Sequence, residues 1–344
     1  MVNRIAADRL VTIFGGSGFV GRHLVNKLAE RGWRVRVAVR DVEAAKFLKP
    51  LGDLGQISVV AASVLNEDSV RRAVAGADAV VNLVGILYES GKATFQAIHA
   101  DGAGLIARAA KDAGVKTLVH MSALGADRAS SAAYARTKAE GEERVRAAFP
   151  GAVIMRPSVI FGPEDGFYNR FAALARLLPV LPYFASDAPA LRRDAGGLPA
   201  LDLYGEGGPK FQPVYVGDVA DAFTKALEDP QHAGKTFELG GPQVLTLRDV
   251  MRQVSRETRR NRLVLPVPMW VARLQAAFLQ FLPSPPLTPD QVRLMERPNV
   301  VSGDFPGLTD LGIAPEPAEA ILPQYMDRFR PMHRQIRRLG RRGT

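Results

Sequence analysis

The chain has 344 residues, of which 47% are apolar and 23% charged, a composition typical of a soluble globular protein with one large domain or two coupled ones. The absence of cysteine excludes disulfides, thiolate metal sites, iron–sulfur clusters and a cysteine nucleophile, and the five histidines lack metal-ligand spacing, so no metal site is predicted. The 45 basic and 35 acidic residues leave a net charge of +10, which favours an acidic partner such as a phosphorylated cofactor, an anionic lipid, an acidic protein surface or nucleic acid.

The sequence shows no sign of a membrane-spanning or targeting segment. It has no run of about 18 apolar residues, the length that a spanning helix needs. The first apolar run, residues 10–14, leads directly into a glycine-rich loop without a cleavage site, so neither a signal peptide nor a transit peptide is expected. We therefore expect a cytoplasmic or already mature protein.

Short apolar runs and helical patterns alternate through the first half of the chain. The runs predict strands at residues 10–14, 34–39, 57–60, 79–83, 117–121 and 153–156. The patterns between them predict helices at residues 21–31, 42–48, 67–75, 94–113 and 134–148. Because the strands are apolar on both faces, the alternation favours right-handed crossovers and a parallel sheet covered by helices on both sides. We predict an α/β fold with a doubly wound parallel Rossmann sheet.

The predicted dinucleotide-binding Rossmann domain covers residues 8–162, and its core also takes elements from about residues 211–225. After this domain, prolines and glycines interrupt the pattern and predict long loops at residues 180–210. Residues 212–223 then predict a short strand and a helix. A further helix is predicted at residues 246–259.

The C-terminal part is expected to be smaller and irregular. Residues 163–327 form a predicted region that resembles a substrate domain or contacts partners, and Thr246 is the predicted N-cap of its helix at 246–259. Residues 328–344 form a basic tail without an acidic residue. Its arginines are Arg328, Arg330, Arg334, Arg337, Arg338, Arg341 and Arg342.

The strongest local signal is a glycine loop after the first predicted strand. Gly15, Gly18 and Gly21 have the spacing Gly-x-x-Gly-x-x-Gly, and a helix follows. Glycine lets the backbone turn tightly and approach a pyrophosphate, whose charge rests on exposed amides and on the positive end of the helix. The position between a strand and a helix distinguishes the motif from an ordinary turn. We therefore predict dinucleotide binding here.

The second predicted strand is followed by Arg40. An acidic residue at this place would accept a hydrogen bond from the ribose 2′-hydroxyl of NAD, whereas arginine suits the 2′-phosphate of NADP(H). Arg22, at the start of the first helix, is expected to assist. The alternative for Arg40 is a solvated charge at a strand end. The sequence thus predicts NADPH as the cofactor.

Tyr134 and Lys138 form a Tyr-x-x-x-Lys pair in a helical context, which puts both side chains on one face. A lysine ammonium beside a phenol favours the phenolate, so we expect a lowered pKa for Tyr134 and an acid/base suited to carbonyl–alcohol chemistry. Lys138 is also expected to bond the nicotinamide ribose. The predicted strand at 117–121 precedes the pair and leads into the hydroxyl of Ser122.

Together these features resemble the short-chain dehydrogenase/reductase superfamily of the extended type. Residues 156–163 resemble the segment that approaches the nicotinamide, and residues 211–220 resemble the substrate-domain signature. The resemblance implies catalytic positions at Tyr134, Lys138 and Ser122. It also implies a cofactor site made of Gly15, Ser17, Gly18, Phe19, Val20, Gly21, Arg22, Arg40, Ser63, Val64, Val84, Gly85, Met121, Tyr134, Lys138, Pro157 and Val159.

Three positions depart from the pattern of that superfamily. The hydroxyl that stabilises an oxyanion falls on Ala123, the asparagine that positions a proton relay falls on His99, and the acidic residue after the third strand is replaced by Ser63. Loss of one oxyanion donor costs roughly 2.7–4 kcal/mol of transition-state stabilisation in other enzymes. The Tyr–Lys pair would then be vestigial, unless Ser122 supplies the hydroxyl.

Four runs are more specific than the superfamily: residues 81–89, 161–171, 211–216 and 287–292. They resemble the short-chain-dehydrogenase-like accessory subunits of respiratory complex I, in a bacterial form, over roughly residues 8–330. The resemblance implies a structural NADPH and partners among the other complex I subunits at the junction of the hydrophilic and membrane arms. It also implies a peripheral location on the cytoplasmic face of the bacterial inner membrane, or on the matrix face in mitochondria.

An apolar stripe recurs at helical spacing in residues 270–282. Such a stripe usually packs into the core of the protein itself, and the alternative is an interfacial helix that touches lipid or a membrane subunit. The tail arginines either meet anionic headgroups or acidic neighbours, or form a solvated end. Nucleic acid is not expected, because Phe329 is the only aromatic residue available for stacking in the tail. The long insert around residues 185–198 has no assigned role.

Three hypotheses for the function follow from these observations. The leading one is a noncatalytic assembly component that NADPH stabilises. The alternative is an active NADP-dependent extended-type reductase or epimerase that acts on a nucleotide-sugar, quinone or lipid-like substrate. In that enzyme Tyr134 would be the acid/base, Lys138 its tuner and Ser122 the oxyanion donor. The third is a regulator that senses dinucleotide. The sequence leaves open whether any substrate is turned over.

Overall fold

The protein, represented by a computed structural model, is described over residues 9–185, 190–193, 199–202 and 207–331. Its strands are β1 (Leu10–Phe14), β2 (Arg34–Val39), β3 (Ile57–Ala61), β4 (Ala79–Asn82), β5 (Thr117–Met121), β6 (Val153–Pro157), β7 (Ile160–Phe161), β8 (Val180–Ala185), β9 (Ala190–Arg193), β10 (Pro199–Asp202), β11 (Lys210–Phe211), β12 (Val214–Tyr215), β13 (Thr236–Leu239), β14 (Leu245–Thr246) and β15 (Leu263–Pro268).

The helices connect these strands and close the chain. They are α1 (Phe19–Glu30), α2 (Glu67–Val74), α3 (Gly102–Asp112), α4 (Ala133–Ala148), α5 (Tyr168–Leu177), α6 (Val216–Glu228), α7 (Leu247–Glu257), α8 (Met269–Leu279), α9 (Pro289–Met295) and α10 (Ala318–Tyr325). A π-helix lies at Gln96–Asp101, and short 3₁₀-helices lie at Lys46–Leu51, Pro230–His232, Thr309–Leu311 and Met326–Phe329. Across the described ranges, no helix combines the length and the apolar character needed to cross a bilayer.

The chain forms two compact units. Of the described residues, the first unit contains those up to Pro157 together with Val216–Gly240 and Val301–Pro315. The second unit contains the described residues of Ser158–Tyr215, Gly241–Val300 and those from Glu316 onward.

A seven-stranded parallel sheet forms the centre of the first unit, with the strand order β13-β6-β5-β4-β1-β2-β3. The direction of winding changes at β1, where Val11 faces Val35 of β2 on one side and Ala79 of β4 on the other. In open α/β sheets, ligands bind outside the carboxyl ends of the strands at such a switch point. The predicted doubly wound sheet is confirmed.

Consecutive burial along the strands explains why they lie between two layers of helices. Val11, Thr12, Ile13 and Phe14 of β1 are all buried, although successive side chains point to opposite faces of the sheet. Both faces are therefore covered, as expected for parallel strands. Helix α1 packs beside α6, and α3 packs between α2 and α4.

The predicted strands of the first half agree with the structure to within one residue at each end, but two predicted helices differ. The helix predicted at 42–48 is wrong: the chain turns there and forms a 3₁₀-helix at Lys46–Leu51, where Pro50 has no amide hydrogen to donate. The helix predicted at 94–113 begins instead as the π-helix Gln96–Asp101 and continues as α3.

The second unit contains small sheets. Two of these sheets are parallel: β8 pairs with β15, and β7 pairs with β12. The other two are antiparallel: β11 pairs with β14, and β9 pairs with β10. The prediction of loops throughout 180–210 is wrong at β8, β9 and β10. Pro182 lies within β8, where its missing donor is tolerated because β8 is paired along one side only. The core of this unit includes Phe161, Tyr168 and Tyr183, which are fully buried.

The apolar stripe at residues 270–282 does not pack into the core, which makes the expected core packing wrong. Helix α8 turns its small residues Ala272 and Ala276 inward, where they contact the cluster of Leu287 and Val292. Its large residues face solvent instead. They include Trp270, Leu274 and Phe278, followed after the helix by Phe281 and Leu282.

Helix α7 begins with the predicted N-cap. The Thr246 hydroxyl accepts a hydrogen bond from the Asp249 amide at 3.2 Å, and the Asp249 carboxylate accepts one from the Thr246 amide at 3.1 Å. This reciprocal pair is a capping box, which satisfies two amides that the helix leaves without partners.

We predict that Thr246→Ala lowers the free energy of unfolding by about 1 kcal/mol, because the Asp249 amide loses its cap. Urea unfolding, followed by circular dichroism, measures this change. Thr246→Ser keeps the hydroxyl and is the matched control. Equal stability of the alanine and serine variants would show that the cap contributes nothing measurable.

Candidate functional site

The glycine loop lies at the carboxyl end of β1. The Gly15 amide donates to the Ala38 carbonyl of β2 at 3.2 Å, and the Gly18 amide donates back to the Gly15 carbonyl at 3.0 Å. Gly15 has φ of +78°, a left-handed conformation that glycine adopts without strain. Gly18 is the N-cap of α1; no side chain caps this end, and the first turn of α1 contains no acidic residue. The amides at the start of the helix therefore suit an anion.

Gly21 fixes how closely helix α1 approaches this loop. A Cβ atom at Gly21 would lie 2.5 Å from the Gly15 carbonyl oxygen and 2.5 Å from the Gly16 Cα. Both are backbone atoms, so no side-chain movement relieves the clash. The third glycine of the motif is therefore required for contact between the loop and the helix. The other loop residues of the predicted cofactor site, Ser17, Phe19 and Val20, lie in the same turn and the first turn of α1.

Arg40 follows β2, beside the loop, and its side chain is exposed. The next residue, Asp41, accepts a hydrogen bond from the Ala44 amide at 3.0 Å, so its carboxylate is engaged in the following turn. The Arg40 guanidinium thus neighbours, in the sequence, a carboxylate that already accepts a hydrogen bond from the Ala44 amide. Arg22 of α1 directly follows Gly21, the last glycine of the motif, and its guanidinium lies 5.0 Å from the centre of the Phe47 ring.

Ser63 and Val64 follow β3. The Ser63 amide donates to the Ser69 hydroxyl at 3.0 Å, and that hydroxyl donates to the Ser63 carbonyl at 3.1 Å. Val64 is buried in the core of the first unit. The main chain of the turn that replaces the expected acidic residue is therefore held by the Ser69 hydroxyl. Its position after the third strand keeps it at the carboxyl edge of the sheet.

Val84 and Gly85 follow β4. The Val84 amide donates to the Asn82 carboxamide oxygen at 3.0 Å, and the Asn82 amide group lies 3.1 Å from Nδ1 of the buried His120. Gly85 is exposed, and a Cβ atom there would lie 3.3 Å from the Lys138 Nζ. The absence of a side chain at Gly85 therefore lets the main chain approach the Lys138 ammonium closely.

His99 occupies the place of the expected asparagine and is fully engaged by the protein. Its Nε2 accepts a hydrogen bond from the Ile86 amide at 3.0 Å, so in the neutral ring Nδ1 carries the hydrogen and donates to the Thr137 hydroxyl at 3.2 Å. Burial, aided by the charge of Lys138, lowers the pKa of His99 to about 2. The ring is a neutral structural group, and neither nitrogen is available for a proton relay.

Tyr134 and Lys138 lie in the first two turns of α4, on the helix that covers the end of β5. The Lys138 ammonium donates to the Met121 carbonyl at 3.1 Å and lies 5.9 Å from the centre of the Tyr134 ring. The ring packs edge-on against His99 and Phe95, at centroid distances of 5.1 and 5.9 Å. The pair is therefore assembled on one face, as the spacing predicts.

The electrostatics of the pair differ from expectation. Burial raises the pKa of the Tyr134 phenol to about 12, so the expected lowering by Lys138 is wrong. Burial also lowers the pKa of Lys138 to about 8, an effect that the Glu142 carboxylate opposes. The Lys138 ammonium interacts with the Met121 carbonyl and the Glu142 carboxylate and does not lower the pKa of the phenol. The phenol therefore stays protonated near neutral pH.

Ser122 directly follows β5, and its side chain is buried. Its amide donates to the Met155 carbonyl at 2.7 Å, and its Oγ is buried without a hydrogen-bond partner in the described part of the chain. Ala123, the next residue, has no hydroxyl. An oxyanion donor must lie about 2.7–3.1 Å from the reacting oxygen. The assignment of Ser122 as the oxyanion donor stays a prediction.

Pro157 ends β6, and its carbonyl accepts a hydrogen bond from the Leu124 amide at 3.0 Å. Val159 lies in the second unit, where its amide donates to the Asn299 side-chain oxygen at 3.1 Å. The same oxygen accepts from the Ser158 hydroxyl at 2.7 Å. Asn299 thus positions the segment after β6. Sequence reasoning missed it because the contact joins residues about 140 positions apart.

The carboxyl edge of the sheet therefore collects the predicted residues of the first unit, namely Gly15, Ser17, Gly18, Phe19, Val20, Gly21, Arg22, Arg40, Ser63, Val64, Val84, Gly85, Met121, Ser122, Tyr134, Lys138 and Pro157. The uncapped amides of α1 suit a pyrophosphate, and Arg40 suits a phosphate. The main chain at Gly85 passes close to the Lys138 ammonium. The residues present fit a dinucleotide.

Comparison with known proteins agrees with this geometry. The NAD-dependent epimerase/dehydratase family matches residues 11–240. The chain belongs to this family. Among relatives, subunit 9 of the alpha subcomplex of mouse mitochondrial NADH dehydrogenase (ubiquinone) is 35% identical over 312 residues, which cover 90% of this chain and 78% of the mouse protein. The expected resemblances to extended short-chain dehydrogenases and to the accessory subunits are confirmed, and the chain is a homologue of those subunits.

The chain also resembles two enzymes, one in part of its sequence and one in its fold. The ceramide reductase of Caulobacter vibrioides is 37% identical over 176 residues, which cover 51% of this chain and 54% of that protein. The UDP-glucose 4-epimerase of Thermus thermophilus, solved with NAD, has a TM-score of 0.67 at 20% identity and covers 94% of this chain and 99% of its own. That likeness shows the fold. Membership of the epimerase/dehydratase family supports a nicotinamide dinucleotide as the cofactor.

The buried lysine of this family member makes a testable contribution to stability. Burial lowers the pKa of Lys138 from 10.5 to about 8. Each pKa unit corresponds to about 1.4 kcal/mol, so below pH 8 the charged ammonium lowers the free energy of unfolding of the dinucleotide-free chain by about 3 kcal/mol. Between pH 8 and 10.5 the unfolded chain keeps a proton that the folded chain has released. Stability therefore rises with pH in this window.

We predict that Lys138→Met abolishes this rise in the dinucleotide-free protein, and that the variant is more stable than the wild type at pH 7. Urea unfolding of both proteins at a series of pH values measures the difference. Lys111→Met, which removes an exposed ammonium from α3, is the matched control. An unchanged pH dependence in Lys138→Met would show that the ammonium is solvated in the folded chain.

Proposed function

We propose that this chain is a noncatalytic accessory subunit of a respiratory NADH:quinone oxidoreductase, complex I, and that it holds NADPH as a structural ligand. Homology to the mitochondrial subunit over most of the chain supports the assembly role. The observation that carries the noncatalytic part is the His99 ring, which stands where the proton-relay asparagine is expected and has both nitrogens engaged by the protein, together with the alanine at position 123.

The rest of the reaction apparatus supports the same proposal. A reductase needs a donor for the developing oxyanion and a path for the proton. The absence of the oxyanion donor alone would cost roughly 2.7–4 kcal/mol of transition-state stabilisation. His99 is held neutral between Ile86 and Thr137, and the Tyr134 phenol has a pKa of about 12. The Lys138 ammonium that remains can bond a ribose without any proton transfer by Tyr134.

NADPH supplies a hydride in enzymes of this fold, but in this subunit we assign it a structural role. The glycine loop would hold the pyrophosphate, Arg40 the 2′-phosphate, and Lys138 the nicotinamide ribose. A ligand that binds only the folded chain stabilises it by about 4 kcal/mol at a thousandfold excess over its Kd. The predicted domain of residues 8–162 would thus carry the ligand, and the region 163–327 would contact other subunits.

The partners that we propose are the complex I subunits at the junction of the hydrophilic and membrane arms. The location would be peripheral, on the cytoplasmic face of a bacterial inner membrane or on the matrix face in mitochondria. The basic tail of residues 328–344 would add contacts to anionic headgroups. Arg334, Arg337, Arg338, Arg341 and Arg342 lie outside the described residues.

The choice of cofactor is tested by Arg40→Ala. We expect the wild type to bind NADPH more tightly than NADH, and the variant to lose at least tenfold in NADPH affinity with NADH affinity nearly unchanged, because a charged hydrogen bond to a phosphate contributes about 1.5–3 kcal/mol. Isothermal titration measures both constants. Arg34→Ala removes a similar exposed charge at the opposite end of β2 and is the control. Tighter binding of NADH by the wild type would contradict the assignment.

The assembly role is tested in cells that lack the chain. We expect Tyr134→Phe to restore full assembly of complex I, because the structural role does not use the phenol hydroxyl for chemistry. Gly21→Val should fail, because its side chain clashes with the glycine loop and blocks the dinucleotide. Native gels and quinone reductase activity of the membranes measure assembly. Equal amounts of the chain in assembled and complex-free fractions would count against the proposal.

A second candidate, an active reductase on a lipid-like substrate, is favoured only by the retained Tyr134–Lys138 register and by the half-length likeness to a ceramide reductase. It predicts NADPH oxidation by the purified chain in the presence of a ketone substrate. It also predicts that Tyr134→Phe abolishes that turnover. Such a result would replace the noncatalytic proposal.

A further inference from the structure

One face of the two-stranded sheet β8–β15 in the second unit is apolar and partly uncovered. Val264 of β15 packs on the core of this unit, so strand alternation turns Leu263 and Leu265 to the opposite, outer face. The parallel register puts Pro182 beside Leu265 on that face. Leu263 is 67% exposed and Leu265 41% exposed. The outer face therefore presents large apolar side chains to solvent at the start of β15.

Helix α8 covers the other end of the same face. Its inward residues Ala272 and Ala276 cluster with Phe184, which alternates with Pro182 onto the outer side of β8. The outward residues of α8 then project beyond the sheet, and among them Trp270 is 63% exposed and Phe278 71% exposed. Sheet and helix adjoin through Phe184, and we call their exposed apolar side chains together the apolar platform.

Arginines border the apolar platform. A concavity of about 720 Å³ is lined by Arg252, Arg256, Arg259 and Arg262 together with Leu263 and Leu265. Arg256 contacts Glu257, and Arg262 donates to a main-chain carbonyl. Arg252 and Arg259 form no ion pair with any residue in the ranges that the structure describes. The concavity therefore carries a positive charge that the protein does not neutralise, beside apolar side chains.

Arg259 stands in a conformation that arginine disfavours. It has φ of +53°, which makes it the one non-glycine residue with positive φ in the described ranges. It follows the C-cap of α7, and the Arg260 amide donates to the Ser255 carbonyl at 3.1 Å, so Arg259 occupies the position where helices commonly end in glycine. A glycine would fit without strain. The arginine costs stability at this place and brings its charge to the concavity.

We propose that this surface binds an anionic phospholipid bilayer, with headgroup phosphates in the arginine concavity and the side chains of the apolar platform in the interfacial region. Guanidinium groups bind phosphate with paired hydrogen bonds. Exposed tryptophan, phenylalanine and leucine beside cations match a membrane interface, in which one side is apolar and the other anionic. The large, protruding apolar side chains favour a bilayer over a soluble acidic protein.

This assignment deepens the peripheral location proposed above and can fail separately from it. Vesicle binding is a property of the purified chain, whereas membership of complex I is read from assembly in cells. The site is also distinct from the basic tail, which stays present in every protein tested.

The first test is flotation of the full-length chain, loaded with NADPH, with vesicles. We expect binding to vesicles with equal parts of phosphatidylcholine and phosphatidylglycerol, and little binding to phosphatidylcholine alone. Added salt should weaken binding, because surface charges are screened. Binding to both vesicle types alike, or to neither, would overturn the proposal.

Arg259→Gly tests the site itself. We expect the partition coefficient to fall about fivefold, the factor that about 1 kcal/mol per arginine near an anionic surface produces. The same variant should unfold at an equal or higher urea concentration, because glycine relieves the positive φ. Arg252→Gln should weaken binding to a similar extent. Arg72→Gln, an exposed charge on α2 in the first unit, is the control and should bind as the wild type does.

Trp270 provides a direct probe. The chain has two tryptophans, and Trp33 is buried, so Trp33→Phe leaves Trp270 as the reporter. We expect its emission to shift to shorter wavelength with anionic vesicles and to be quenched by brominated acyl chains. Vesicle binding that is unchanged in Arg259→Gly and Arg252→Gln, without a shift of Trp270, would assign the binding to other cations and refute the site. Loss of inorganic phosphate binding alone in these variants would show a soluble-anion site and refute it equally.

Discussion

The buried ammonium of Lys138 is the interaction on which the candidate site depends. It has three hydrogens to donate but contacts one carbonyl, that of Met121, and its pKa falls to about 8 because burial removes water. A bound ribose would offer hydroxyl oxygens to the remaining hydrogens. In the proposed complex, folding and ligand binding would share one unfavourable group, whose missing hydrogen bonds the ligand would supply. This coupling is what a structural cofactor requires.

Binding and catalysis make different demands on this fold, and under the noncatalytic proposal the chain meets the first only. Binding needs backbone amides, a close contact at Gly21 and a cation at Arg40, and all of these are present. Catalysis needs an exposed hydroxyl and a mobile proton. The Ser122 Oγ is buried, and both ring nitrogens of His99 form hydrogen bonds within the protein. The His99 ring instead satisfies internal hydrogen bonds to Ile86 and Thr137.

Periodicity predicted the central sheet because strands covered on both faces must be apolar throughout, as β1 is. It failed where burial depends on distant partners. Pro182 indicates a loop from local sequence, yet β8 exists because β15 pairs with it across about 80 residues. The same limit applies to the site. The glycine motif and the Tyr–Lys spacing are local and were predictable, whereas the burial that raises the Tyr134 pKa comes from the packing of Phe95 and His99 around the ring.

Helix α8 shows how burial can invert an amphipathic pattern. Its stripe of large apolar residues favours core packing by periodicity alone, but Ala272 and Ala276 allow a closer approach to β8 and take the inner face instead. The large side chains then remain outside, where exposed apolar patches are costly for a free protein. Arg259 adds a second local cost beside the same surface. Two unfavourable features at one place are consistent with a surface selected for contact, since a chain shaped only by its own stability would keep neither.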